Sequence, residues 1–150
     1  IIDLDVHQGN GTAEIFSQEP RVFTFSMHGD KNFPFRKEIS DCDLALENDL
    51  SGVAYLALLK QTLPELIENF DPQFIFYLAG VDVLDSDKLG KLKLSKSDTA
   101  QRDRFVFELC KSKNLPVQVS MGGGYSADVK DIVDAHCNTF IAGIDIFEQL

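Results

Sequence analysis

The sequence is poor in cysteine and has no apolar run long enough to span a bilayer. Its three cysteines, Cys42, Cys110 and Cys137, are widely spaced and form no CxxC pair, which excludes a disulfide-rich secreted domain. We interpret them as reduced thiols, mostly buried in the core of a cytoplasmic protein. The missing apolar run excludes a transmembrane helix of about 20 residues, and no internal repeat or low-complexity tract is present.

Positive charge is also scarce. Lys and Arg number 14 against 24 Asp and Glu, so the formal net charge is −10 at pH 7. This balance argues against a nucleic-acid backbone or an anionic membrane surface as a direct partner, whereas a cationic peptide substrate is compatible with it. The hydrophobic fraction of 44% and the charged fraction of 25% are typical of a globular protein, and 150 residues suffice for one domain with a core.

The opening stretch, IIDLDVHQGNGT, alternates potential metal ligands with apolar residues. If residues 1–6 form a strand, the period of two places Asp3, Asp5 and His7 on one side and the apolar residues on the other. Two carboxylates and an imidazole are costly to bury unless a cation or hydrogen bonds compensate them. Because Asp and His are common zinc ligands, a metal site is the favoured interpretation. A polar strand end exposed to water is the alternative.

Further strands and helices alternate along the chain. Apolar and β-branched runs predict strands over residues 21–27, 74–79 and 116–121, and the continuous 74–79 run predicts burial on both faces. Helical spacing predicts helices over residues 12–16, 51–70, from 97 or 98 onward, and 126–140. The expected N-caps of the last three are Ser51, then Ser97 or Asp98, and Ser126. Pro64 is expected to kink or restart the helix over residues 51–70. Residues 28–52 are expected to be a long irregular connection. This order predicts an α/β domain with a mostly parallel sheet.

Three of the predicted strands end in loops that carry chemically active residues. The loops contain Asp3, Asp5 and His7, then Asp82, Asp85 and Asp87, and finally Gly122 to Tyr125. In parallel α/β sheets, ligands bind where the carboxyl ends of the strands meet, so this convergence predicts a single active site. Asp5, His7 and one downstream aspartate would supply three protein ligands and leave a fourth position open, which is typical of catalytic zinc.

The glycines before Tyr125 allow the main chain to approach a ligand closely and to adopt positive φ. A tyrosine hydroxyl aimed at a metal-bound carbonyl would stabilise an oxyanion. The alternative for this motif is a tight strand-to-helix turn with an exposed tyrosine.

The segments IIDLDVHQGNGT, AGVDVLDSDKLGKLKLS and MGGGYS occur in this order and together resemble the histone deacetylase superfamily. The form HQGNGT, the segment RDRFVFEL and the run AGVDVLDSDKLG are most similar to class IV deacetylases and their bacterial relatives. The resemblance implies a three-layer, arginase-like α/β fold. It also implies zinc-dependent hydrolysis of acyl-lysine in peptides, or of a related small acylated amine.

The resemblance assigns roles to individual residues. Asp5, His7 and Asp82 match the zinc ligands, and Asp82 is preferred to its neighbouring aspartates because it follows Ala-Gly-x. Tyr125 matches the tyrosine that hydrogen-bonds the substrate carbonyl. Asp3, Ser26 and Met27 match a monovalent-cation site that family members fill with K⁺. Phe33 matches an aromatic wall of the acyl-lysine tunnel, to which Gly123 and Gly124 are also assigned.

One feature of the family has no counterpart here. Its paired active-site histidines, a general base and an electrostatic partner, lie upstream of the first motif, whereas this sequence has only His28 and His136 besides His7. His28 belongs to a different family position, and His136 is expected on the surface of a helix. Because the chain also opens inside a strand, we expect residues 1–150 to be part of a single deacetylase domain that lacks its N-terminal portion, and to be inactive alone.

Other functions compete with this interpretation. Asp3-Leu4-Asp5 after an apolar strand also fits a haloacid-dehalogenase-type phosphatase, with Asp3 as nucleophile, Asp5 as acid/base and Mg²⁺ as cofactor. That function leaves His7 and the GGGY loop without a role. A non-catalytic relative that binds a partner, and an acetylpolyamine amidohydrolase with the same mechanism, are the remaining alternatives. The sequence leaves the natural substrate and the oligomeric state open.

Overall fold

The chain, described over residues 1–148 by a computed structural model, is built on a five-stranded sheet with the strand order β3-β2-β1-β4-β5. The strands are β1 (Ile2–Asp3), β2 (Phe25–Gly29), β3 (Cys42–Leu46), β4 (Ile75–Gly80) and β5 (Val117–Gly122), and the helices are α1 (Asn10–Phe16), α2 (Gly52–Phe70), α3 (Lys96–Ser112) and α4 (Val129–Phe147). All four strand pairings are parallel. The predicted α/β class with a mostly parallel sheet is confirmed.

Helices flank the sheet, and the main core lies between the sheet and the three long helices. α3 packs against both α2 and α4. In the strand order, the connection from β1 to β2 runs towards the β3 edge of the sheet, whereas the connections from β3 to β4 and from β4 to β5 run towards the β5 edge. Because such connections are right-handed, α1 lies on the other face. The core is aliphatic and aromatic, and includes Ile2, Leu4, Val6, Met27, Tyr55, Leu59, Leu63, Tyr77, Ala79, Val106, Phe107 and Cys110.

The strands depart from the predicted ranges in three ways. β1 is shorter than expected, although Leu4 N still donates to Leu78 O at 3.1 Å beyond its end. β3 lies within the predicted irregular connection, so that prediction is wrong; its side chains alternate between half-buried and exposed before Leu46, as suits a short edge strand. Burial of β4 on both faces is also wrong, because Tyr77 is fully buried while Phe76 is 50% exposed.

Helix α2 follows its prediction closely. The Ser51 hydroxyl oxygen accepts a hydrogen bond from Ala54 N at 3.4 Å and caps the helix. Pro64 lies inside the helix, which continues as one 19-residue element, so no restart occurs there. The buried stripe formed by Leu59, Leu63 and Ile67 runs past the proline, and its packing offsets the hydrogen bond that proline removes.

The caps of the last two helices lie at other residues than predicted. Ser95, rather than Ser97 or Asp98, caps α3; Ser95 Oγ accepts from Asp98 N at 3.1 Å, and the Asp98 carboxylate accepts from Ser95 N at 2.9 Å in a capping box. Asp128, rather than Ser126, caps α4, which extends to Phe147 instead of ending near residue 140.

The three cysteines are free thiols in different environments. Cys110 is buried in the core, Cys42 is half-buried and Cys137 is exposed, so the core-filling interpretation applies fully to Cys110 alone. Among the described residues, no helix combines the length and apolarity needed to cross a membrane.

Candidate metal site at the strand ends

Asp5, His7 and Asp82 come together at the carboxyl ends of the paired strands β1 and β4. Asp5 and His7 follow β1, and Asp82 follows β4. One potential ligand atom from each residue lies within 4.8 Å of the other two. The side chains of Asp5 and His7 are 19% and 27% exposed, and that of Asp82 is 0% exposed. The cluster is therefore closed behind Asp82 and accessible from the side of His7.

The cluster presents acceptor atoms that the protein does not fully satisfy. His7 Nδ1 lies 2.9 Å from Asp5 Oδ1 and 3.1 Å from Asp82 Oδ2, but one ring N–H cannot serve both carboxylates well. Asp82 Oδ1 accepts from Val6 N at 2.9 Å, whereas the buried Asp82 Oδ2 has no hydrogen-bond partner among the described residues. A cation at this point would satisfy Asp82 Oδ2, and two carboxylates with one imidazole are a donor set that fits zinc.

The three groups shift one another's protonation. The hydrogen bond to Asp5, and then the Asp82 carboxylate 3.1 Å from Nδ1, raise the pKa of His7 to about 10. Burial raises the pKa of Asp82. Burial also opposes ionisation of Asp5, but the hydrogen bonds with His7 outweigh it and lower the pKa of Asp5. A proton on Nδ1 and a metal cation would therefore compete for the same groups.

Two glycines allow the strand ends to approach this closely. A Cβ on Gly80 would lie 2.5 Å from Asp5 Cα and 2.6 Å from Asp5 Oδ2. Gly123 has a φ of +64°, and a Cβ there would lie 2.4 Å from Asp82 Cγ. The glycines of the AGVD and GGGY segments thus bring β4 against Asp5 and the loop after β5 against Asp82.

Asp3 and Ser26 are neighbours beside this cluster. They are register partners on β1 and β2, and Asp3 Oδ1 accepts from Asp5 N at 3.1 Å. Burial raises the pKa of Asp3 to about 7. Ser26 Oγ forms a hydrogen bond with His28 Nδ1 at 3.0 Å. The Met27 side chain packs in the core, so its main chain is the part that could take part in a cation site.

Tyr125 follows Gly123 and Gly124, which have φ of +64° and +109°. The Tyr125 side chain is 51% exposed, and Tyr125 N donates to Asp87 Oδ2 at 2.7 Å. Because consecutive Cα atoms are about 3.8 Å apart, the Tyr125 Cα lies within roughly 7.6 Å of the Gly123 Cα, which packs on Asp82. The tyrosine is therefore carried by the same loop that contacts the donor cluster.

Phe33 lies on an exposed loop that is fastened to the loop after Asp82. Phe33 is 61% exposed and packs edge-on against Phe35, with ring centroids 6.2 Å apart. The neighbouring Asn32 is buried; its Nδ2 donates to Leu89 O at 2.9 Å, and its Oδ1 accepts from Lys91 N at 3.3 Å.

The aspartates downstream of Asp82 have different surroundings. Asp85 is exposed. Asp87 is buried, and its Oδ1 accepts from Leu89 N and Gly90 N, each at 2.8 Å. Only Asp82 of the three belongs to the donor cluster found among the described residues; its role as a zinc ligand stays a prediction.

A buried ion pair behind the cluster was missed by the sequence reasoning. Arg102 and Asp103 on α3 are both 0% exposed and are joined by Nε and Oδ1 at 2.8 Å. Arg102 Nη1 also donates to Leu4 O at 3.1 Å and to Gly80 O at 2.7 Å, the carbonyls just before the loops that bear Asp5 and Asp82. Tyr77 and Thr139 hydroxyls donate to the Asp103 carboxylate. The signal was available: Arg102 is three residues after Thr99 and four before Val106, on the buried stripe of the helix.

His136 is not the surface residue that was expected. It is half-buried on α4, and its Nδ1 is enclosed without a hydrogen-bond partner among residues 1–148. Burial lowers the pKa of His136. The prediction failed because the spacing of α4 alone does not reveal that this position faces the main chain near Gly123.

Comparisons with known proteins point to one family. A model described as "Histone deacetylase domain" matches residues 1–140. An uncharacterized protein of Picosynechococcus sp. is 43% identical over 147 residues, which cover 98% of this chain and 49% of that protein. Histone deacetylase 2 of Arabidopsis thaliana is 35% identical over 128 residues, covering 83% of this chain and 33% of that protein. The chain thus spans about half of the first relative and a third of the second.

Solved structures share the fold at low sequence identity. The acetylpolyamine aminohydrolase from Burkholderia pseudomallei superposes with a TM-score of 0.81 at 20% identity, over 97% of this chain and 44% of that one. The histone deacetylase Clr3 superposes with a TM-score of 0.80 at 19% identity, over 97% of this chain and 26% of that one. Both matches agree with a parallel sheet flanked by helices.

Proposed function

Because the chain belongs to the histone deacetylase domain family, we propose that it carries the zinc-binding part of an enzyme that hydrolyses acyl-lysine in peptides or related small acylated amines. The observation that supports this most directly is the cluster of Asp5, His7 and Asp82 at the strand ends. Membership of the family supports, in general terms, an enzyme that hydrolyses acylated amines. The dependence on zinc and the roles given below to single residues are our proposals.

Asp5, His7 through Nδ1, and Asp82 would hold the zinc ion. These three ligands leave a fourth coordination position open, which distinguishes a catalytic from a structural zinc site. When bound, zinc supplies a Lewis acid that polarises an amide carbonyl and lowers the pKa of water. Asp82 Oδ2, which is buried and without a hydrogen-bond partner in the described part of the chain, is the atom that gains most from the cation.

Tyr125 would orient the substrate and stabilise charge. Its hydroxyl donates a hydrogen bond to the substrate carbonyl oxygen, and this bond strengthens as negative charge develops on that oxygen. Gly123 and Gly124, both at positive φ, would let this loop lie close to the donor cluster, because a Cβ on Gly123 would lie 2.4 Å from Asp82 Cγ. Phe33, exposed on the neighbouring loop, would line the apolar part of the acyl-lysine chain.

Asp3, Ser26 and the main chain of Met27 would hold a monovalent cation, for which K⁺ is the candidate. Asp3 is buried, and burial raises the pKa of its carboxyl to about 7. A cation there would favour the ionised form of Asp3 and support the segment that carries Asp5.

The chain alone is expected to be inactive because no histidine among the described residues is placed to act as a general base at the site. His28 is 1% exposed and hydrogen-bonded to Ser26, and His136 Nδ1 is enclosed. His7 Nδ1 is hydrogen-bonded to Asp5 and lies 3.1 Å from Asp82 Oδ2. Assays of this 150-residue polypeptide with an acetyl-lysine peptide and with an acetylated polyamine should detect no zinc-dependent turnover. Turnover with either substrate would contradict the expected inactivity of the chain alone.

The competing functions have less support. A phosphatase nucleophile must reach its substrate, but Asp3 is 5% exposed and its Oδ1 is bonded to Asp5 N. A purely binding relative has no need for an open donor cluster beside an exposed tyrosine. Discrimination between acyl-lysine peptides and acetylated polyamines rests on parallel assays of the zinc-loaded protein that also supplies the histidine pair.

Zinc binding is the direct test of the proposed site. Asp82→Asn should weaken zinc binding, measured by calorimetric titration, by more than about 100-fold, since even groups that merely support a ligand contribute roughly 10- to 100-fold. Asp85→Asn is the matched control, because Asp85 lies three positions away and its side chain is exposed. Equal zinc affinity of the two variants would remove the basis of the proposed function.

A further inference from the structure

The Asp87 carboxylate joins two loops of the candidate site. Asp87 is 8% exposed, lies on the loop after β4, and has three main-chain donors. Oδ1 accepts from Leu89 N and Gly90 N, each at 2.8 Å, and closes a turn in its own loop. Oδ2 accepts from Tyr125 N at 2.7 Å, in the loop after β5. A carboxylate that accepts main-chain N–H bonds forms charge-assisted hydrogen bonds, which are stronger than neutral ones.

The turn that Asp87 closes rests directly on a proposed zinc ligand. A Cβ on Gly90 would lie 1.9 Å from the carbonyl oxygen of Asp82, so the turn packs against the Asp82 main chain. Asp87 thus connects the backbone that carries Asp82 to the backbone that carries Tyr125. A second link lies beside it, where Ser86 Oγ and Ser126 Oγ are 2.9 Å apart.

Beyond these links and the antiparallel bridge between Asp87 and Ser126, the Tyr125 side chain has few restraints. Its side chain is 51% exposed, so packing restrains it weakly. It also follows two glycines at positive φ, and glycine main chain has more conformational freedom than that of any other residue.

We propose that Asp87 is a positioning residue for the deacylation reaction: its carboxylate holds the main chain at Tyr125 and thereby places the Tyr125 hydroxyl relative to Asp5, His7 and Asp82. This inference rests on the proposed function. Asp87 does not touch the substrate and does not bind the metal. Its contribution is to the geometry of Tyr125, and so it should affect turnover more than substrate binding.

The test compares Asp87→Asn and Asp87→Ala with Asp85→Asn, whose side chain is exposed on the same loop. Turnover is measured in the zinc-loaded protein that contains this chain together with the histidine pair. Both Asp87 variants should lower kcat by roughly 10- to 100-fold, since a displacement of about 1 Å can cost a factor of this size, while KM and zinc content stay close to those of the unchanged protein. Asp85→Asn should match the unchanged protein.

A second background separates positioning from general loop stability. In a Tyr125→Phe protein, which lacks the hydroxyl, Asp87→Asn should cause no further loss of kcat, because the two changes remove one interaction. If Asp87 merely supported the fold, the loss would be as large in both backgrounds.

Amide hydrogen exchange provides a readout apart from activity. Exchange at Tyr125 N–H should become at least about tenfold faster in Asp87→Ala, because the amide loses its acceptor and opens locally. Unchanged exchange at Tyr125 would overturn the role of Asp87 and leave the proposed function standing. A normal kcat for both Asp87 variants, with a low kcat for Tyr125→Phe, would do the same. Full activity of Tyr125→Phe would instead overturn the proposed role of Tyr125, and the inference with it.

Discussion

Replacing Arg102 with Met tests whether the buried ion pair holds the two strand ends that carry the candidate site. Met preserves an unbranched apolar chain but removes the charge and every donor. Three hydrogen bonds are lost: to Asp103 Oδ1 at 2.8 Å, Leu4 O at 3.1 Å and Gly80 O at 2.7 Å. The Asp103 carboxylate, 0% exposed, then keeps only the hydroxyl donors of its neighbours.

The expected loss is large because the remaining charge is buried. Removing one partner of a buried ion pair destabilises a protein by about 3–5 kcal/mol. At about 1.36 kcal/mol per tenfold change, this corresponds to roughly 10²- to 10⁴-fold in the unfolding equilibrium. Arg104→Met is the control on the same helix. Arg104 is 47% exposed and pairs with Glu108 at 3.0 Å, and exposed pairs of this kind contribute about 1 kcal/mol or less.

Urea unfolding followed by circular dichroism measures both variants, with zinc removed and with zinc bound. Because Arg102 binds the carbonyls adjacent to the two ligand-bearing loops, Arg102→Met should also weaken zinc binding, whereas Arg104→Met should not. A difference of less than about 1 kcal/mol between the two variants, within the range of exposed pairs, would refute the reasoning.

Two further predictions concern close packing and protonation. Gly80→Ala should weaken zinc binding and destabilise the fold by about 1–3 kcal/mol, because its Cβ would lie 2.5 Å from Asp5 Cα. Gly11→Ala is the control, since its Cβ would meet nothing within 4 Å, and it should leave zinc titrations unchanged. Equal zinc affinities of the two variants would contradict the tight strand contact. His136→Gln should reduce the loss of stability on acidification. Burial lowers the pKa of His136 below its ordinary 6.5, so the unfolded chain binds the proton first and stability falls as the pH drops from 6.5 towards the folded-state pKa. Urea unfolding measures the free energy of unfolding of both proteins at about pH 7.5 and about pH 5.5, and the variant should lose less of it at the lower pH. An equal loss in both proteins would show that His136 is not buried as described.

The sequence predicted those parts of the site that follow from strand periodicity and strand ends. Alternation in the opening stretch separates Asp3 and Asp5 from the apolar residues of the core, and Asp82 follows an apolar strand. In a parallel sheet these facts suffice to bring Asp5 and Asp82 to the same edge. The strand order, with β1 beside β4, and the close approach that Gly80 and Gly123 allow complete the placement.

The missed features depend on contacts between distant segments. β3 is a short edge strand whose existence depends on pairing with β2, and its own sequence, CDLAL, has little strand pattern. Arg102 and Asp103 are charged residues that a helical pattern places on the buried side, but their burial becomes favourable only because Leu4, Gly80, Tyr77 and Thr139 supply partners. Asp87 is one of three aspartates on its loop, and its link to Tyr125 joins residues 38 positions apart, which no local pattern reveals.

The charge balance at the strand ends favours a divalent cation over a proton as the partner of this cluster. With His7 neutral, Asp5 and Asp82 together carry two negative charges at a site where one carboxylate oxygen is buried without a hydrogen-bond partner in the described residues. A proton on His7 offsets one of these charges and leaves Asp82 Oδ2 unsatisfied. Arg102 does not hydrogen-bond this oxygen: its Nε and Nη1 bind Asp103 and two carbonyls, and its Nη2 has no hydrogen-bond partner in the described part of the chain. A doubly charged ion would balance both carboxylates and accept electron pairs from all three ligands.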